Sequence, residues 1–278
     1  MKIKELLEYG KNNLIEKEEP YRLSKILLKN ILNVDSSYLL INSEKEVNKE
    51  IENKYKKGIN DLKSGKPLQY ITNKQEFMGL DFYVDENVLI PQPDTEILVE
   101  EVLKKIEKLN GKTNVLDICT GSGAIGVSIA KNATNVNVTM SDISENALKV
   151  AQKNAKTNEV LDKCKFIKSN MFENIEEKYD VIVSNPPYIK SKIIKTLEKE
   201  VQNEPLIALD GGEDGLDFYK IIIQTAYKHL KENGILALEI GYDQKEEVIK
   251  LIEESNKYIN IYCKKDLAGN DRIIICNL

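Results

Sequence analysis

Residues 185–188 read Asn-Pro-Pro-Tyr and directly follow the apolar run of residues 179–184. Two successive prolines remove two backbone donors and hold φ near −65° at both positions. The residue before a proline also favours extended geometry, so the loop is stiff and its carbonyl groups stay outside any helix or ladder. A simple connection would use Gly, Ser or Asp instead. The sequence therefore predicts a loop that holds a ligand or substrate.

A second pattern capable of chemistry is Gly121, Gly123 and Gly126, which satisfy G-x-G-x-x-G after a predicted strand. Asp142 follows about 20 residues later at the end of the next strand, so a dinucleotide site is one interpretation. Glycines let the backbone approach a ligand, and the acidic residue can bind the ribose hydroxyls of any adenosine-containing cofactor. The alternative is that these glycines only pack a helix against a strand.

Asp117 helps to distinguish a dinucleotide from other adenosine-containing cofactors, because it lies four residues before Gly121 at the strand end. A carboxylate there would repel a pyrophosphate, whereas it suits a sulfonium centre and an amino-acid ammonium group. The arrangement therefore favours S-adenosylmethionine over NAD.

These loops require a parallel sheet to position them. From residue 94 onwards, strand patterns alternate with helix patterns, which predicts a doubly wound α/β domain with helices on both faces. The last two predicted strands, residues 259–264 and 272–276, are joined by only seven residues and must be antiparallel.

The residues before this domain have different periodicities. Residues 1–72 carry apolar stripes at helical spacing, such as Leu23, Leu27 and Ile31, and predict a small all-α domain. The stripes are its own core or, in part, a partner surface. Residues 73–93 predict a hairpin or linker, with strand-like positions at Phe82, Val84, Val88 and Ile90 around an Asp-Glu-Asn turn, followed by the α/β domain over residues 94–278.

Composition excludes several functional classes. The four cysteines are scattered without a C-x-x-C pair, and His229 is the only histidine, so no metal site and no histidine-dependent triad are expected. A net charge of −5 argues against a protein that binds mainly through phosphates. No apolar run reaches the length of a membrane helix, and no signal peptide is evident, so a cytoplasmic protein is expected.

Several segments together resemble a known family. "LDICTGSGAIG", Asp142 and "VSNPPYI" resemble the class I S-adenosylmethionine-dependent methyltransferases. "PLQYI", "EFMGLDFYV", "VLIPQPDTE", "EPLIALDGGEDGLDFY", "LEIG" and "AGNDR" resemble the release-factor glutamine methyltransferases, the PrmC or HemK family. The resemblance covers nearly the whole chain and is looser over residues 1–65.

The resemblance implies a Rossmann-like seven-stranded sheet with an antiparallel last strand and a helical N-terminal domain for substrate recognition. It implies N5-methylation of the glutamine in the Gly-Gly-Gln motif of bacterial peptide chain release factors, with S-adenosylhomocysteine as product. Cofactor contacts are expected at Asp117, Cys119, Thr120, Gly121, Ser122, Gly123, Asp142, Met171 and Asn185. The glutamine is expected at Asn185, Pro186, Pro187 and Tyr188, of which Asn185, Pro186 and Tyr188 would be catalytic. A monomer without direct nucleic-acid contact is expected.

The chain departs from the family pattern at four positions. Gln92 replaces the usual Arg, Cys119 the usual Gly and Asn170 the usual Asp, while Met171 stands where an aromatic residue is frequent. Cys119 places a side chain where close backbone approach to the cofactor is usual.

Other substrates remain open on the sequence. Asn-Pro-Pro-Tyr also serves adenine N6 methylation, although such an enzyme usually carries a basic groove for a flipped base. A ribosomal-protein glutamine methyltransferase and a non-catalytic translation-associated module are further alternatives. The acidic, glycine-rich segment 204–219 is either a mobile flap over the substrate or a solvated loop.

Overall fold

The computed structural model describes all 278 residues, which form two compact units. One unit comprises Met1–Lys74 together with Glu198–Asn203, and the other comprises Gln75–Leu197 and Glu204–Leu278. Below they are called the helical unit and the sheet unit. No sequence feature predicted that residues 198–203 would join the helical unit. There the Asn203 amide donates to the Gly65 carbonyl at 3.1 Å.

The helical unit is built on five helices: α1 (Ile3–Asn13), α2 (Pro20–Leu32), α3 (Ser36–Ile41), α4 (Lys49–Lys63) and α5 (Leu68–Thr72). Its core contains Leu6, Leu28 and Tyr55, all without solvent exposure. The Tyr55 hydroxyl lies 2.6 Å from Ser24 Oγ, which donates to the Leu7 carbonyl, so the buried polar groups are paired.

The sheet unit begins with a hairpin of β1 (Gln75–Phe77) and β2 (Leu80–Phe82). Seven further strands form one sheet: β3 (Thr113–Ile118), β4 (Val136–Asp142), β5 (Cys164–Lys168), β6 (Tyr179–Ser184), β7 (Leu230–Glu239), β8 (Ile259–Lys265) and β9 (Asp271–Asn277). The strand order is β5-β4-β3-β6-β7-β9-β8, and only β9 runs antiparallel to its neighbours. The predicted fold class, with its antiparallel last strand, is confirmed.

Helices cover both faces of this sheet. The remaining helices are α6 (Glu96–Ile106), α7 (Ala124–Asn132), α8 (Glu145–Thr157), α9 (Ser191–Ile194), α10 (Lys199–Gln202, in the helical unit), α11 (Leu206–Leu209), α12 (Asp217–His229) and α13 (Lys245–Ser255). Helices α6, α7 and α8 share a buried apolar cluster with Val115, whereas α12 and α13 share another with Leu116. Alternate residues of β3 thus point to opposite faces. None of the helices has the length and hydrophobicity required to cross a membrane.

The chain reverses its winding direction between β3 and β6. From β3 it proceeds outwards to β4 and β5, and then returns to place β6 on the other side of β3. Carboxyl ends of strands at such a switch point form the usual ligand crevice of open α/β sheets. Because Ile118 aligns with both Ser141 and Ser184, the loops that follow β3, β4 and β6 leave the sheet at the same edge.

The predicted hairpin around Asp-Glu-Asn is wrong in its position. The observed hairpin turns at Met78–Gly79, and residues 83–92 contain no strand, although Val84 and Val88 are buried. Side chains satisfy this backbone instead of a neighbouring strand. Asn154 accepts from the Tyr83 N–H at 2.7 Å and donates to the Tyr83 carbonyl at 2.9 Å. The alternation of apolar residues therefore reflected burial rather than pairing.

Two smaller features also differ from the sequence-based expectation. Strand β5 was not identified from the residues, because none of its side chains is fully buried and its pattern is weak. The α/β domain expected from residue 94 onwards opens with a 3₁₀ turn over Pro93–Thr95, which leads directly into α6. Proline is compatible with this first turn because its missing N–H would have no partner there.

Candidate active site

The loop after β3 is shaped by three residues with left-handed backbone. The φ angles are +58° at Cys119, +55° at Gly121 and +80° at Gly123. A Cβ added to Gly121 would meet no atom within 4 Å, so this backbone faces open space in the cavity described below. By contrast, a Cβ on Gly126 would lie 2.7 Å from Met140 Cγ, which makes Gly126 a packing position between α7 and β4. Gly123 also packs, against Ala151. Of the three glycines of the G-x-G-x-x-G pattern, only Gly121 therefore leaves room for a ligand.

Asp117 is fully buried at the end of β3. Its Oδ2 accepts from the Thr120 hydroxyl at 2.6 Å and from the Gly126 N–H at 3.0 Å, while Oδ1 has no hydrogen-bond partner. Burial raises the pKa of Asp117 to about 7, against the lowering effect of these two donors. Asp117 therefore holds the turn and the start of α7 together, and it leaves one oxygen free.

Asp142, at the end of β4, links the two neighbouring loops. Its Oδ2 accepts from the Gly121 N–H at 2.9 Å and its Oδ1 from the Ser144 N–H at 2.8 Å. Burial raises the pKa of Asp142, and the backbone N–H groups of Ser144, Gly121 and Ile143 oppose that shift. Each carboxylate oxygen keeps a further lone pair, so Asp142 can still accept from a ligand hydroxyl.

Met171 follows β5 and faces Cys119. The two sulfur atoms lie 3.9 Å apart, and Met171 also has left-handed backbone with φ +50°. Non-glycine residues in this conformation are uncommon and concentrate at ligand sites. Burial raises the pKa of the Cys119 thiol, with Asp142 and Asp117 adding to the effect, so the thiol stays protonated.

The Asn-Pro-Pro-Tyr loop leaves the sheet at the end of β6. The Asn185 Nδ2 donates to Thr95 Oγ1 at 3.3 Å, which leaves its Oδ1 available as an acceptor. No group in the structure donates a hydrogen bond to the Pro186 carbonyl oxygen. The loop therefore offers two neighbouring acceptors, one from a side chain and one from the backbone.

Tyr188 is held by two residues outside the Asn-Pro-Pro-Tyr loop. Its hydroxyl lies 3.4 Å from Oε1 of Glu239, the last residue of β7, and its carbonyl accepts from Gln244 Nε2 at 3.0 Å. Burial raises the pKa of Tyr188, and Glu239 adds to that shift. Burial also raises the pKa of Glu239 to about 7.

The glycine-rich segment 209–215 is attached to the Asn-Pro-Pro-Tyr loop. Ile189 donates to the Leu209 carbonyl at 3.0 Å, and Gly211 donates back to the Ile189 carbonyl at 2.9 Å. A Cβ on Gly211 would lie 2.7 Å from Tyr188 Cα, so this close approach requires glycine. Whether segment 204–219 is a mobile flap or a solvated loop stays a prediction. Gly211 and Gly215 pack against Tyr188, while Ile207 and Phe218 line the cavity.

One cavity is lined by six of the residues that were predicted to bind the cofactor or the glutamine. Its wall includes Cys119, Gly121, Asp142, Met171, Asn185 and Pro187. Asp117, Thr120, Ser122, Gly123, Pro186 and Tyr188 are not part of that wall. Asn170 also lines the cavity, where its amide donates to Glu173 Oε1 at 2.8 Å.

Sequence reasoning missed the residues that support the loop from a distance: Thr95, Gly211, Glu239 and Gln244. Thr95 and Glu239 are buried polar residues. The signal that could have found them is a polar residue placed at the end of a buried strand or at a helix start, as Glu239 and Thr95 are.

Two regions of the chain match known protein-family models. Residues 92–204 match the methyltransferase small domain, and residues 5–72 match the PrmC N-terminal domain.

The chain is also similar to individual proteins. It is 45% identical to the release factor glutamine methyltransferase of Clostridium acetobutylicum, over 99% of this chain and 98% of that protein. Among solved structures, it resembles a methyltransferase from Pyrococcus furiosus with a TM-score of 0.52 and 25% identity, over 72% of this chain and 89% of that one. A 16S rRNA N2 G1207 methyltransferase of Thermus thermophilus, solved with AdoMet and guanosine, shares the fold with a TM-score of 0.53 and 17% identity, over 73% and 49% of the two chains.

Proposed function

The chain belongs to the release factor glutamine methyltransferase family, and we propose that it methylates the glutamine of the Gly-Gly-Gln motif in bacterial peptide chain release factors. It is an S-adenosylmethionine-dependent enzyme. The transfer yields N5-methylglutamine and S-adenosylhomocysteine. The observation that carries the proposal is that Gly121 and Asp142 share one cavity with Asn185 of the Asn-Pro-Pro-Tyr loop.

The loops after β3 and β4 fit the cofactor. Gly121 leaves room for a ligand against its backbone, and Asp142 keeps lone pairs for the ribose hydroxyls. The Oδ1 of buried Asp117 has no hydrogen-bond partner, and a cationic ligand nearby would favour the ionised form of this carboxyl group. When bound, S-adenosylmethionine supplies an electrophilic methyl group on a sulfonium.

Asn185 and Pro186 are assigned to the glutamine amide. The amide nitrogen is a poor nucleophile because its lone pair is delocalised into the carbonyl, so orientation is the first requirement. The Asn185 Oδ1 and the Pro186 carbonyl can accept its two N–H groups. These acceptors also stabilise the positive charge that develops on the nitrogen during attack. Tyr188 and Pro187 would shape the slot for the amide plane.

No general base is needed before transfer in this proposal. The nitrogen becomes acidic once it is methylated and then loses a proton to solvent. His229, the only histidine, ends α12 just before β7 begins, and it stacks on Phe172 with ring centroids 5.0 Å apart. It thus lies at the amino end of β7, whereas the Asn-Pro-Pro-Tyr loop lies at the carboxyl ends of the strands.

The proposal includes a monomeric cytoplasmic enzyme that contacts release factors and no nucleic acid directly. The helical unit, residues 1–72 in the sequence-based division, would recognise the release factor outside its Gly-Gly-Gln loop. Leu40 and Ile41 are adjacent and about four-fifths exposed on this unit, which is unusual for aliphatic residues.

The role of the helical unit is tested with Leu40→Ser and Ile41→Ser combined. We expect a lower kcat/KM for full-length release factor and an unchanged value for a short Gly-Gly-Gln peptide. Leu267→Ser, at a fully exposed leucine of the sheet unit, is the control. Equal kcat/KM for full-length release factor in all three proteins would remove this surface from the proposal.

The function itself is tested by transfer of labelled methyl from S-adenosylmethionine to a recombinant release factor. A release factor with Gln→Ala in its Gly-Gly-Gln motif is the control. Label on the wild-type factor alone supports both reaction and acceptor. Label on a ribosomal protein or on nucleic acid, and none on the release factor, would retain the chemistry and refute the substrate.

A further inference from the structure

The Gln244 side chain is a buried amide that the proposed mechanism does not use. It is 3% exposed at the start of α13, and it does not line the cavity. We propose that Gln244 is a positioning residue, which holds the carboxyl end of the Asn-Pro-Pro-Tyr loop and the glycine-rich segment 209–215 in one fixed arrangement. The inference rests on the proposed function for the step that it affects, and on the hydrogen bonds of Gln244 for its geometry.

Three main-chain groups surround the Gln244 amide. Its Nε2 donates to the Tyr188 carbonyl at 3.0 Å and to the Gly215 carbonyl at 3.1 Å, and its Oε1 accepts from the Gly241 N–H at 2.9 Å. Carbonyl groups only accept and an N–H only donates, so these partners are compatible with a single orientation of the amide. An amide rotated by half a turn would place acceptor against acceptor and donor against donor. The contacts themselves therefore fix the direction in which Gln244 acts.

The backbone of Gln244 is held by its own helix and by the turn before it. Its N–H donates to the Gly241 carbonyl at 3.0 Å, and its carbonyl accepts from the Val248 N–H at 3.0 Å in the first turn of α13. Val248 is without solvent exposure in the apolar cluster that contains Leu236 of β7. The side chain thus extends from a firmly packed part of the sheet unit, and a donor placed in this way can restrain a loop.

The Asn-Pro-Pro-Tyr loop transmits a restraint at Tyr188 to the proposed acceptor. Pro186 and Pro187 have no N–H, and their rings fix φ, so fewer torsions are free between the Tyr188 carbonyl and the Pro186 carbonyl. A shift of the Tyr188 carbonyl therefore displaces the Pro186 carbonyl, which is assigned to the glutamine amide. A displacement of about 1 Å at such a position can lower turnover by about 100-fold.

The second partner of Nε2 belongs to the glycine-rich segment. Gly215 has φ +77°, and a Cβ there would lie 2.5 Å from the Tyr188 oxygen and 2.7 Å from Gln244 Nε2. The close approach of these three groups requires glycine at this position. The segment continues into α12, where Phe218 lines the cavity, and Pro187 lines it from the loop. One amide thus joins the two segments that supply these parts of the cavity wall.

The test uses two substitutions that retain the approximate length of the side chain. Gln244→Glu can still accept from Gly241, but its ionised carboxylate cannot donate to the two carbonyls. Gln244→Met removes all three hydrogen bonds without adding a charge, and it tests the same contacts if the carboxylate prevents folding. Gln224→Glu, at an exposed position of α12, is the control for the change in charge. For each protein, kcat and KM for release factor, the Kd for S-adenosylmethionine and Tm are measured from about pH 6 to about pH 8.

We expect Gln244→Glu and Gln244→Met to lower kcat at about pH 8 by about tenfold to a hundredfold, with Gln224→Glu close to the wild type. The Kd for S-adenosylmethionine should change much less, because Gly121 and Asp142 still line the cofactor side. Wild-type kcat in Gln244→Met would overturn the inference.

The pH dependence of Gln244→Glu separates a lost donor from a general disturbance. Burial and the two facing carbonyls raise the pKa of the introduced carboxyl group, and its protonated form regains one donor. The kcat of Gln244→Glu relative to the wild type should therefore rise at least about threefold from about pH 8 to about pH 6, whereas that of Gln244→Met should not change. A loss in Gln244→Glu that is the same at every pH would also overturn the inference.

A second measurement does not depend on transfer. The N–H groups of Ile189 and Gly211 donate to the Leu209 and Ile189 carbonyls and join the loop to the glycine-rich segment. In Gln244→Met their hydrogen exchange should be at least about tenfold faster, while amide groups in the centre of β7 exchange at the wild-type rate. Unchanged exchange at Ile189 and Gly211, or equal acceleration in β7, would refute the positioning role. If the wild type fails to label release factor, the proposed function falls, while these exchange rates still decide on Gln244.

Discussion

The two loops that meet in the cavity are stabilised in different ways. The loop after β3 is held by contacts close in sequence, since Asp117 binds Thr120 and Gly126, and Asp142 binds Gly121 at a separation of 21 residues. The Asn-Pro-Pro-Tyr loop is held by distant residues. Asn185 binds Thr95 at a separation of 90 residues, and Tyr188 binds Glu239 at a separation of 51.

The difference reflects what each loop must do. A cofactor of constant shape can be bound by a local turn whose backbone N–H groups and carboxylates are placed by one strand–loop–helix unit. Orienting a weakly nucleophilic amide requires acceptors fixed to within a fraction of an ångström, and prolines alone do not supply that precision. The second loop therefore depends on the start of α6, the end of β7 and segment 209–215 together.

The largest effect is expected from Asn185→Ala, which removes the side-chain acceptor and leaves the cofactor loop untouched. Turnover with release factor should fall at least about 100-fold, by analogy with the loss of one stabilising hydrogen bond at a transition state. Calorimetry should find a much smaller loss of S-adenosylmethionine affinity than of turnover, because Gly121 and Asp142 still line the cofactor side of the cavity. Unchanged turnover would show that the Asn185 side chain is not required for methyl transfer.

A smaller effect is expected from Gly211→Ala, which places a Cβ 2.7 Å from Tyr188 Cα. The clash involves backbone, so the Asn-Pro-Pro-Tyr loop must shift, and turnover should fall about tenfold with a loss of about 1 to 3 kcal/mol in stability. Gly121→Ala is the comparison variant, because its Cβ meets nothing within 4 Å but enters the cofactor side, and its φ of +55° adds backbone strain to the loop after β3. It should weaken S-adenosylmethionine binding instead. Equal weakening of cofactor binding in both variants would refute the separate roles of the two loops in cofactor binding and substrate orientation.

The smallest effect concerns the pH dependence of stability at the cofactor loop. The pKa of Asp117 is raised by burial to about 7 when folded, against about 3.9 in an unfolded chain. The folded state thus binds the proton more tightly, and this contribution to stability is present below about pH 4 and lost as the pH rises to about 7.

Asp117→Asn isolates that contribution, because its amide oxygen can still accept from Thr120 and Gly126. Between pH 5 and pH 8, the wild type should lose at least about 1 kcal/mol more unfolding free energy than the variant. Urea unfolding at the two pH values measures the difference. Parallel pH profiles for the two proteins would mean that Asp117 is not protonated in the folded state at pH 5.

Particular residues show how far sequence reasoning reached into the site. Gly121 and Asp142 were identified from spacing, and they do face one cavity together with Asn185. Asp117 does not line that cavity and binds Thr120 and Gly126 through one oxygen, so its contact with the cofactor stays a prediction. The hairpin around residues 85–87 was mistaken because buried alternation does not reveal whether a strand or a side chain such as Asn154 satisfies the backbone.

The sequence by itself determined the alternating strands and helices, the antiparallel β8–β9 pair, the two ligand-facing loops and the family. These features depend on periodicity, connection length and residues that lie near one another in the chain. Only the tertiary structure decided that Thr95, Glu239 and Gly211 converge on the Asn-Pro-Pro-Tyr loop, and that residues 198–203 join the helical unit. Such contacts join residues from 23 to 138 positions apart, and no local pattern encodes a partner at that distance.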